Sequence, residues 1–329
     1  MTTRRNILQI ASAASLAGYG LQSIAQTKSS ATWPTQPLKI VVPFPPGGTS
    51  DMIARIIANS LGEQLKTTVI VENRTGANGS VGAGVVAAST DAHTMLLSDM
   101  GAVALAHVIT PDLPYKTTDL QGVTMLAYSP HMMVATPSLP ANNLQELVAL
   151  SKRRKINVAS SGTGAPTHLA MAEIAMATGM QWQHVPYRGG AQSIADTAAG
   201  VTDVVMNGML ATLPLVQSGR LKVLGISKRT RMALVGNMPT IAEQGLPTFE
   251  SGTYQGVAVA STMPRAAVEK LGTALISVIR SPDVRARLLQ AGAEVQTSTP
   301  AEMSNFITSE RKRWSGVIAR AGKQLEGTT

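Results

Sequence analysis

The sequence predicts an α/β protein of two lobes, each built around a largely parallel sheet. Runs of β-branched residues alternate with segments of helical apolar period, a rhythm that favours parallel strands with helices on the sheet faces. The same rhythm starts again after Pro137. Removing a predicted export signal of 25 residues from the 329 leaves 304, enough for two domains at about 150 residues each.

The N-terminus has the features of a cleaved export signal. Arg4 and Arg5 precede an apolar stretch over 7–21, and small residues end at Ala25, where we predict cleavage. A membrane anchor is disfavoured, because the stretch is shorter than the ~20 residues needed to span a bilayer and is broken by serine and glycine. We therefore expect a signal peptide over 1–25 and a periplasmic protein, exported by either the Sec or the twin-arginine route.

Composition excludes several classes of function. The chain has no cysteine, which rules out disulfides, thiol catalysis and thiolate metal sites. Loss of the two signal arginines lowers the formal charge from +9 to +7, and the remaining basic residues are scattered apart from short runs at 152–155 and 311–313. These runs fit solvated helix faces, and with only three Phe, five Tyr and three Trp we predict no nucleic-acid partner.

Each predicted element rests on a local pattern. The run LKIVV at 38–42 is β-branched, and 51–65 carries apolar residues at a helical period. The same criteria predict further strands at 69–71, 94–97, 156–159, 181–185, 204–206, 221–226 and 254–260, and further helices at 81–88, 144–152, 168–178, 191–199, 264–279, 282–290 and 300–320. In the last helix Thr299 is the expected cap, Pro300 suits the first position and Glu302 completes a capping box.

Two glycine-rich loops each join a strand to a helix. The first, PFPPGGTSD at 43–51, could hold an anion on free N–H groups at the helix start, or could be a plain turn in which Ser50 or Asp51 caps the helix. The second, SSGTGAPTH at 160–168, adds hydroxyl groups in the second lobe. Because ligands bind beyond the carboxyl ends of parallel strands, we expect the loops to face each other across a cleft.

Other motifs give no support for a cofactor, a metal or a catalytic centre. GAGVVA at 82–87 fits a dinucleotide fingerprint, but it lies inside a helical pattern and is better explained by close helix packing. The five histidines are too dispersed for a metal motif, although His168 and His184 border the predicted cleft and could contact a polar ligand. We predict no cofactor and no metal.

Five segments together resemble the extracytoplasmic receptors of tripartite tricarboxylate transporters, the Bug family. In order along the chain they are PPGGTSD at 45–51, ENRTGANG at 72–79, SSGTG at 160–164, VPYRGG at 185–190 and PTIAEQG at 239–245. The resemblance implies a type II periplasmic-binding-protein fold, or Venus flytrap, whose two α/β lobes are joined by two crossover strands. It places lobe 1 at 33–130, lobe 2 at 131–253 and the return to lobe 1 with the C-terminal helix at 254–329.

The resemblance also implies a non-enzymatic receptor that closes on a small organic carboxylate and delivers it to the large and small permease subunits of a membrane transporter. We expect it to act as a monomer. Motif matching gives the ligand-binding role to Gly47, Gly48, Thr49 and Asp51 in lobe 1 and to Gly162, Thr163 and Thr167 in lobe 2. The remaining candidates are Phe44, Ser98, Asp99, Ser161, His168, Tyr187, Asn207 and Tyr254.

Departures from the family pattern bear on the ligand. Asn207 stands where the family usually has an aspartate, which argues against a ligand with a cationic amino group. Tyr254 replaces a frequent tryptophan. Two alternatives stay open at this point: a sensor that passes the signal to a membrane kinase, and a secreted hydrolase using Ser160 or Ser161 with His168.

Overall fold

The computed structural model describes residues 33–110, 112–322 and 325. The predicted signal peptide therefore lies outside the described residues. The strands are β1 (Leu38–Val42), β2 (Val69–Asn73), β3 (Thr94–Asp99), β4 (Leu120–Ala135), β5 (Ile156–Ser160), β6 (Trp182–Pro186), β7 (Val204–Gly208), β8 (Lys222–Ile226), β9 (Gly252–Ala260) and β10 (Glu294–Val295).

The helices alternate with the strands over most of the chain. They are α1 (Thr49–Leu65), α2 (Ser80–Ala87), α3 (Met100–Ile109), α4 (Leu144–Ser151), α5 (Pro166–Thr178), α6 (Gly190–Ala198), α7 (Met209–Gln217), α8 (Arg265–Arg280), α9 (Pro282–Gln290) and α10 (Pro300–Ala321). None of these described helices is long and apolar enough to cross a membrane.

The strands run in the order β2-β1-β3-β9-β4-β7-β5-β6, with β8 and β10 also paired to β4. In the first half of this strand order, β1 lies between β2 and β3 and is parallel to both. In the second half β5 lies between β6 and β7, again parallel to both. The chain order therefore reverses at β1 and at β5, and in open α/β sheets ligands bind at such a switch point, beyond the carboxyl ends of the strands.

The long strand β4 passes from one half of the molecule to the other. Its first part, 120–130, pairs antiparallel with β9, and its last residues, 131–135, pair with β7 and β8. Pro130, which has no N–H to give to a ladder, stands where the pairing partner changes. The chain crosses back before β9, where Ser251 bonds both Ser227 and His131 through the backbone. These two crossings are the predicted crossover strands.

Burial explains which elements the sequence reveals. In α1 the residues Ile53, Ile57 and Leu61 are fully or almost fully buried on one face, so the helical period is visible. By contrast β4, α3 and α7 were not predicted. From residue 123 onward every residue of β4 is buried, so no alternation marks the strand, and α3 is apolar on nearly all sides.

The C-terminal helix confirms its predicted start and ties the two halves together. Thr299 Oγ1 accepts a hydrogen bond from the N–H of Glu302 at 3.2 Å, and the Glu302 carboxylate accepts one from the N–H of Thr299 at 2.7 Å. Further along α10, Trp314 and Val317 are buried in a core cluster with residues of α3, α5 and β5. The helix therefore packs on both α3 and α5.

Close helix packing, predicted for the GAGVVA segment, is confirmed at Gly82. A Cβ atom there would lie 2.8 Å from the Pro43 Cβ and 2.8 Å from the Arg74 carbonyl oxygen. The glycine lets α2 lie directly against the chain that leaves β1, and the segment does not open a dinucleotide-binding turn.

Candidate functional site

The loop after β1 is held in shape by Asp51. Its carboxylate accepts hydrogen bonds from the Gly47 N–H at 2.9 Å, from Arg55 Nε at 2.9 Å and from Asn73 Nδ2 at 3.0 Å. Burial alone would raise the pKa of Asp51, but the bonds from Arg55, Gly47 and Asn73 outweigh burial and hold the pKa below its ordinary value. The cap of α1 is Gly48, without any side-chain capping bond, so neither Ser50 nor Asp51 caps the helix.

The loop after β5 is folded back on the start of α5 by its own polar groups. Thr167 Oγ1 lies 3.2 Å from the N–H of Ser161 and 2.9 Å from its hydroxyl. His168 Nδ1 accepts the N–H of Gly164 at 2.9 Å, and its Nε2 donates to the Leu325 carbonyl at 2.6 Å. Gly162 and Gly164 have φ of +149° and +75°, values at which a side chain would be strained.

The His168 ring, which bonds this loop at Gly164, packs against a second histidine ring. It stacks on His184 with 3.7 Å between ring centroids, and burial lowers the pKa of both rings, that of His184 to about 3. His184 in turn bonds Ser160 at 2.7 Å, but Ser160 is fully buried. The accessible serine, Ser161, bonds Thr167. The serine that pairs with a histidine is thus not the one that reaches the cavity.

Between the two loops lies a cavity of about 730 Å³, part of which is open to solvent. Seven of the predicted site residues line it: Phe44, Gly48, Thr49, Asp99, Ser161, Thr167 and Asn207.

The starts of α1, α5 and α6 lie at this cavity, as do Ser80, the first residue of α2, and Asp99, the capping residue of α3. Thr49 and Ser50 of α1, Thr167 of α5 and Gly190 of α6 all line it. The cap residues Gly48, Ala165 and Gly189 make no side-chain capping bonds. The first-turn N–H groups of a helix have no partner within the helix, and the helix dipole adds positive potential at that end. Among the described residues, the cavity wall contains no lysine, arginine or histidine. The N–H groups and dipoles at the helix starts are therefore the main groups on this wall that could bind an anion.

Two lining side chains carry buried polar atoms without a hydrogen-bond partner. They are the hydroxyl of Thr49 and both amide atoms of Gln255, and Gln255 is fully buried. Buried polar atoms are nearly always paired in native proteins. These unpaired atoms on the cavity wall are therefore available to bond a ligand.

Asp99 is the only acidic or basic side chain among the described residues of the cavity wall. It caps α3, and its Oδ1 accepts the N–H groups of Gly101 and Tyr254, both at 3.0 Å. Burial raises the pKa of Asp99 to about 7, in spite of these two bonds, and the nearby Glu310 adds to the rise. The Asp99 carboxyl group therefore keeps its proton to a higher pH than an exposed aspartate does.

Contacts across the cleft show a closed arrangement. Asn78 Nδ2 donates to the Thr163 carbonyl at 2.6 Å, which joins the segment after β2 to the loop after β5. At Gly189, a Cβ atom would lie 2.6 Å from Pro45 Cδ, and at Gly208 one would lie 2.6 Å from Thr49 Oγ1. The two halves therefore touch on several sides of the cavity.

Comparison with known proteins identifies the family. Residues 53–323 match the family described as the tripartite tricarboxylate transporter family receptor. The chain belongs to this family. The receptor is 33% identical to the UPF0065 protein in the tcbD-tcbE intergenic region of Pseudomonas sp. strain P51, over 92% of each chain. It is 32% identical to the protein BugT of Bordetella pertussis, over 92% of this chain and 94% of BugT.

Solved structures of similar proteins agree with the predicted fold. The periplasmic binding protein BugD matches with a TM-score of 0.83 at 28% identity, over 88% of the receptor and 99% of BugD. Rpa4515 of R. palustris with adipate matches with a TM-score of 0.85 at 29% identity, over 88% of the receptor and 98% of Rpa4515. MatC of Rhodopseudomonas palustris with bound malate matches with a TM-score of 0.81 at 27% identity, over 87% of the receptor and 100% of MatC. The Venus-flytrap fold is thus confirmed, and the receptor is a solute-binding protein rather than an enzyme.

The other predicted site residues of the receptor do not line the cavity. Asp51 and His168 hold the two loops, as described above, and the Tyr187 hydroxyl donates to Asp196 at 2.9 Å. The Tyr254 ring packs on Tyr128 and Phe306 at centroid distances of 4.7 and 4.6 Å. Gly47, Ser98, Gly162 and Thr163 are likewise absent from the wall. Direct ligand contact by these eight residues stays a prediction.

Several lining residues of the receptor were missed by sequence reasoning. The most important are Thr253 and Gln255 on β9 and Asn78 after β2. Polar residues inside the apolar run at 252–260 were the available signal, because a polar side chain on a buried strand needs a partner. Asn78 was within a quoted motif, but its reach across the cleft depends on a left-handed backbone with φ of +52°.

Proposed function

We propose that this protein is a periplasmic receptor that captures a small organic carboxylate between its lobes and delivers it to a tripartite membrane transporter. The observation that carries the proposal is the meeting of the starts of α1, α5 and α6, all without side-chain caps, at one cavity. Their N–H groups suit a carboxylate, which accepts several hydrogen bonds at once. The bound adipate and malate of two similar structures support the same ligand class.

Binding at helix starts from both lobes gives a physical reason for closure. The lobes we propose are 33–130 with 254–329, and 131–253. A carboxylate held on α1 alone gains bonds to α5 and α6 only when the lobes approach each other. Contacts made only in the closed form supply the free-energy difference that shifts the population toward it. The closed form then presents the surface that the large and small permease subunits recognise.

Location and export follow from the same proposal. The named relatives include periplasmic binding proteins, and the segment at 1–25 has the pattern of a cleaved signal peptide. We propose export by the Sec or the twin-arginine route and action as a monomer, with no cofactor, metal or nucleic acid involved.

Calorimetric titration of ligand-free protein tests the proposed function. The protein is unfolded in denaturant, dialysed and refolded to remove any ligand that co-purifies, and is then titrated with mono-, di- and aromatic carboxylates and with the matching alcohols and amines. We expect at least one carboxylate to bind, and the matched alcohols and amines, which carry no negative charge, to fail. A protein that is folded by circular dichroism and binds none of the carboxylates would contradict the proposal.

A further inference from the structure

Gln255 has a hydrogen-bonding requirement that the protein itself does not meet. The side chain is fully buried, lines the cavity, and leaves both Nε2 and Oε1 without a partner. The amide nitrogen donates and the amide oxygen accepts. A carboxylate can satisfy the nitrogen but repels the oxygen, whereas a hydroxyl or a carboxamide can satisfy both.

The residue opposite Gln255 disfavours a fully ionised dicarboxylate. Asp99 on β3 is the direct antiparallel neighbour of Gln255, so the two side chains lie on the same face of the sheet. Both line the cavity. A second carboxyl group at this end could be accommodated beside Asp99 only if one of the two kept a proton, because no cationic side chain lies among the described lining residues to compensate two negative charges.

The distance between the helix starts and Gln255 fits a short molecule. Thr253 Oγ1 and Thr49 Oγ1 both approach the same point at Gly208, within 3.0 and 2.6 Å of a Cβ atom built there. Gln255 lies two residues beyond Thr253 on the same face of β9, about 7 Å along the strand. A ligand whose carboxylate lies at the start of α1 can therefore reach Gln255 with a short carbon skeleton.

The wall beside this path is apolar. Four residues of α3 line the cavity at helical spacing, namely Ala102, Leu105, Ala106 and Ile109, and Ala165 and Pro166 line it from the other lobe. These side chains offer no hydrogen bonds, so they suit the methylene groups or ring carbons between two polar ends.

We infer that the ligand is a monocarboxylate with a short carbon skeleton whose second polar group is an uncharged hydroxyl or carboxamide, recognised by Gln255 with Asp99 beside it. This inference rests on the proposed function and narrows its ligand class. It makes Gln255 the residue that sets specificity at the end of the cavity away from the carboxylate.

Two series of probes that differ only at one end test the inference. The longer series is hexanoate, 6-hydroxyhexanoate, adipate monoamide and adipate, and the shorter is butyrate, 4-hydroxybutyrate, succinate monoamide and succinate. In the series that fits, we expect the hydroxy acid or the monoamide to bind the wild-type receptor roughly tenfold more tightly than the methyl or the dicarboxylate member, because only these satisfy both amide atoms.

Gln255→Met gives the decisive comparison, because methionine has a similar shape and no strong hydrogen-bonding group. We expect this variant to lose the roughly tenfold preference and to bind the methyl-ended acid as well as the hydroxy acid. Gln121→Met is the matched control: Gln121 lies on β4, away from the cavity, and its amide already donates to the Ala260 carbonyl at 3.0 Å. It should keep the wild-type ranking. Melting temperatures of both empty variants verify that they are folded.

The outcomes separate this inference from the proposed function. If adipate or succinate binds most tightly and Gln255→Met leaves the ranking unchanged, the inference is wrong while the carboxylate receptor stands. The same holds if the methyl-ended acids bind best in the wild type, since ordered water would then satisfy Gln255. If none of the probes and no other carboxylate binds, both fail.

Discussion

Replacing Thr49 with valine should have opposite effects on the empty protein and on ligand binding. The Thr49 hydroxyl is buried, with the residue only 7% exposed, and it has no hydrogen-bond partner. A buried hydroxyl without a partner costs about 1–3 kcal/mol relative to a paired one. Valine has nearly the same shape, so Thr49→Val should raise the free energy of unfolding of the empty protein, by about 1 kcal/mol.

The same substitution should weaken binding. In the proposed complex the hydroxyl donates to the ligand carboxylate, and hydrogen bonds to charged groups contribute about 1.5–3 kcal/mol. Its loss corresponds to a fall in affinity between about tenfold and about a hundredfold. Urea unfolding of the empty protein and calorimetric titration with the carboxylate that binds best would give both quantities from the same preparation.

Thr197→Val provides the matched control. Thr197 is fully buried, but its hydroxyl is bonded to the Ser193 carbonyl at 2.8 Å and to Thr202 at 2.6 Å, within lobe 2 and away from the cavity. This control should lower the free energy of unfolding by about 1–2 kcal/mol and leave affinity unchanged. Should Thr49→Val behave like the control, destabilised and with normal affinity, the Thr49 hydroxyl serves the fold and the assignment to the ligand is refuted.

Three further outcomes follow from the cleft. Asn78→Gly keeps the left-handed backbone but removes the bond to Thr163, so affinity should fall by about two- to tenfold and small-angle scattering should show a larger open fraction. Gly189→Ala should reduce affinity more than tenfold in the same titration, because its Cβ would lie 2.6 Å from Pro45 Cδ at closure. Burial raises the pKa of Asp99 from 3.8 to about 7, so its contribution to stability is complete below about pH 4 and is lost as pH rises through about 7, by at most about 4 kcal/mol. Urea unfolding between pH 4 and 8 should show this loss in the wild type and not in Asp99→Asn, and equal slopes would contradict it.

The fold could be predicted from sequence where an element has one buried face or is a short apolar run between turn residues. The amphipathic α1 and the strand runs at β1 and β5 were visible because their period follows from burial on one face or from β-branched composition. The crossover strand β4 was not visible, since it is buried on both faces over 123–135 and carries Pro130. Its place in the fold came only from the family resemblance.

Site residues could be predicted from sequence where they belong to a glycine-rich loop at a helix start. They could not be predicted where their position depends on which strands pair and in which register. Glycine-rich loops after β1 and β5 reveal helix starts directly, which is why Gly48, Thr49 and Thr167 line the cavity as predicted. A motif does not distinguish a residue that contacts the ligand from one that supports the loop, and Asp51 is of the second kind in the structure. Gln255 was missed because its importance depends on facing Asp99 across two strands distant in sequence.

The described wall of the cavity has no cationic side chain, and this affects how the ligand can be released. An arginine on one lobe could hold a carboxylate whether the cleft is open or closed, since a bidentate ion pair needs no second lobe. Helix-start N–H groups each contribute less, and here they are divided between α1 on one side and α5 and α6 on the other. In the proposed mechanism tight binding therefore requires closure, because opening of the cleft separates the donors of one lobe from those of the other. A permease that separates the lobes would release the ligand without any competing anion, which a fixed arginine site would not allow.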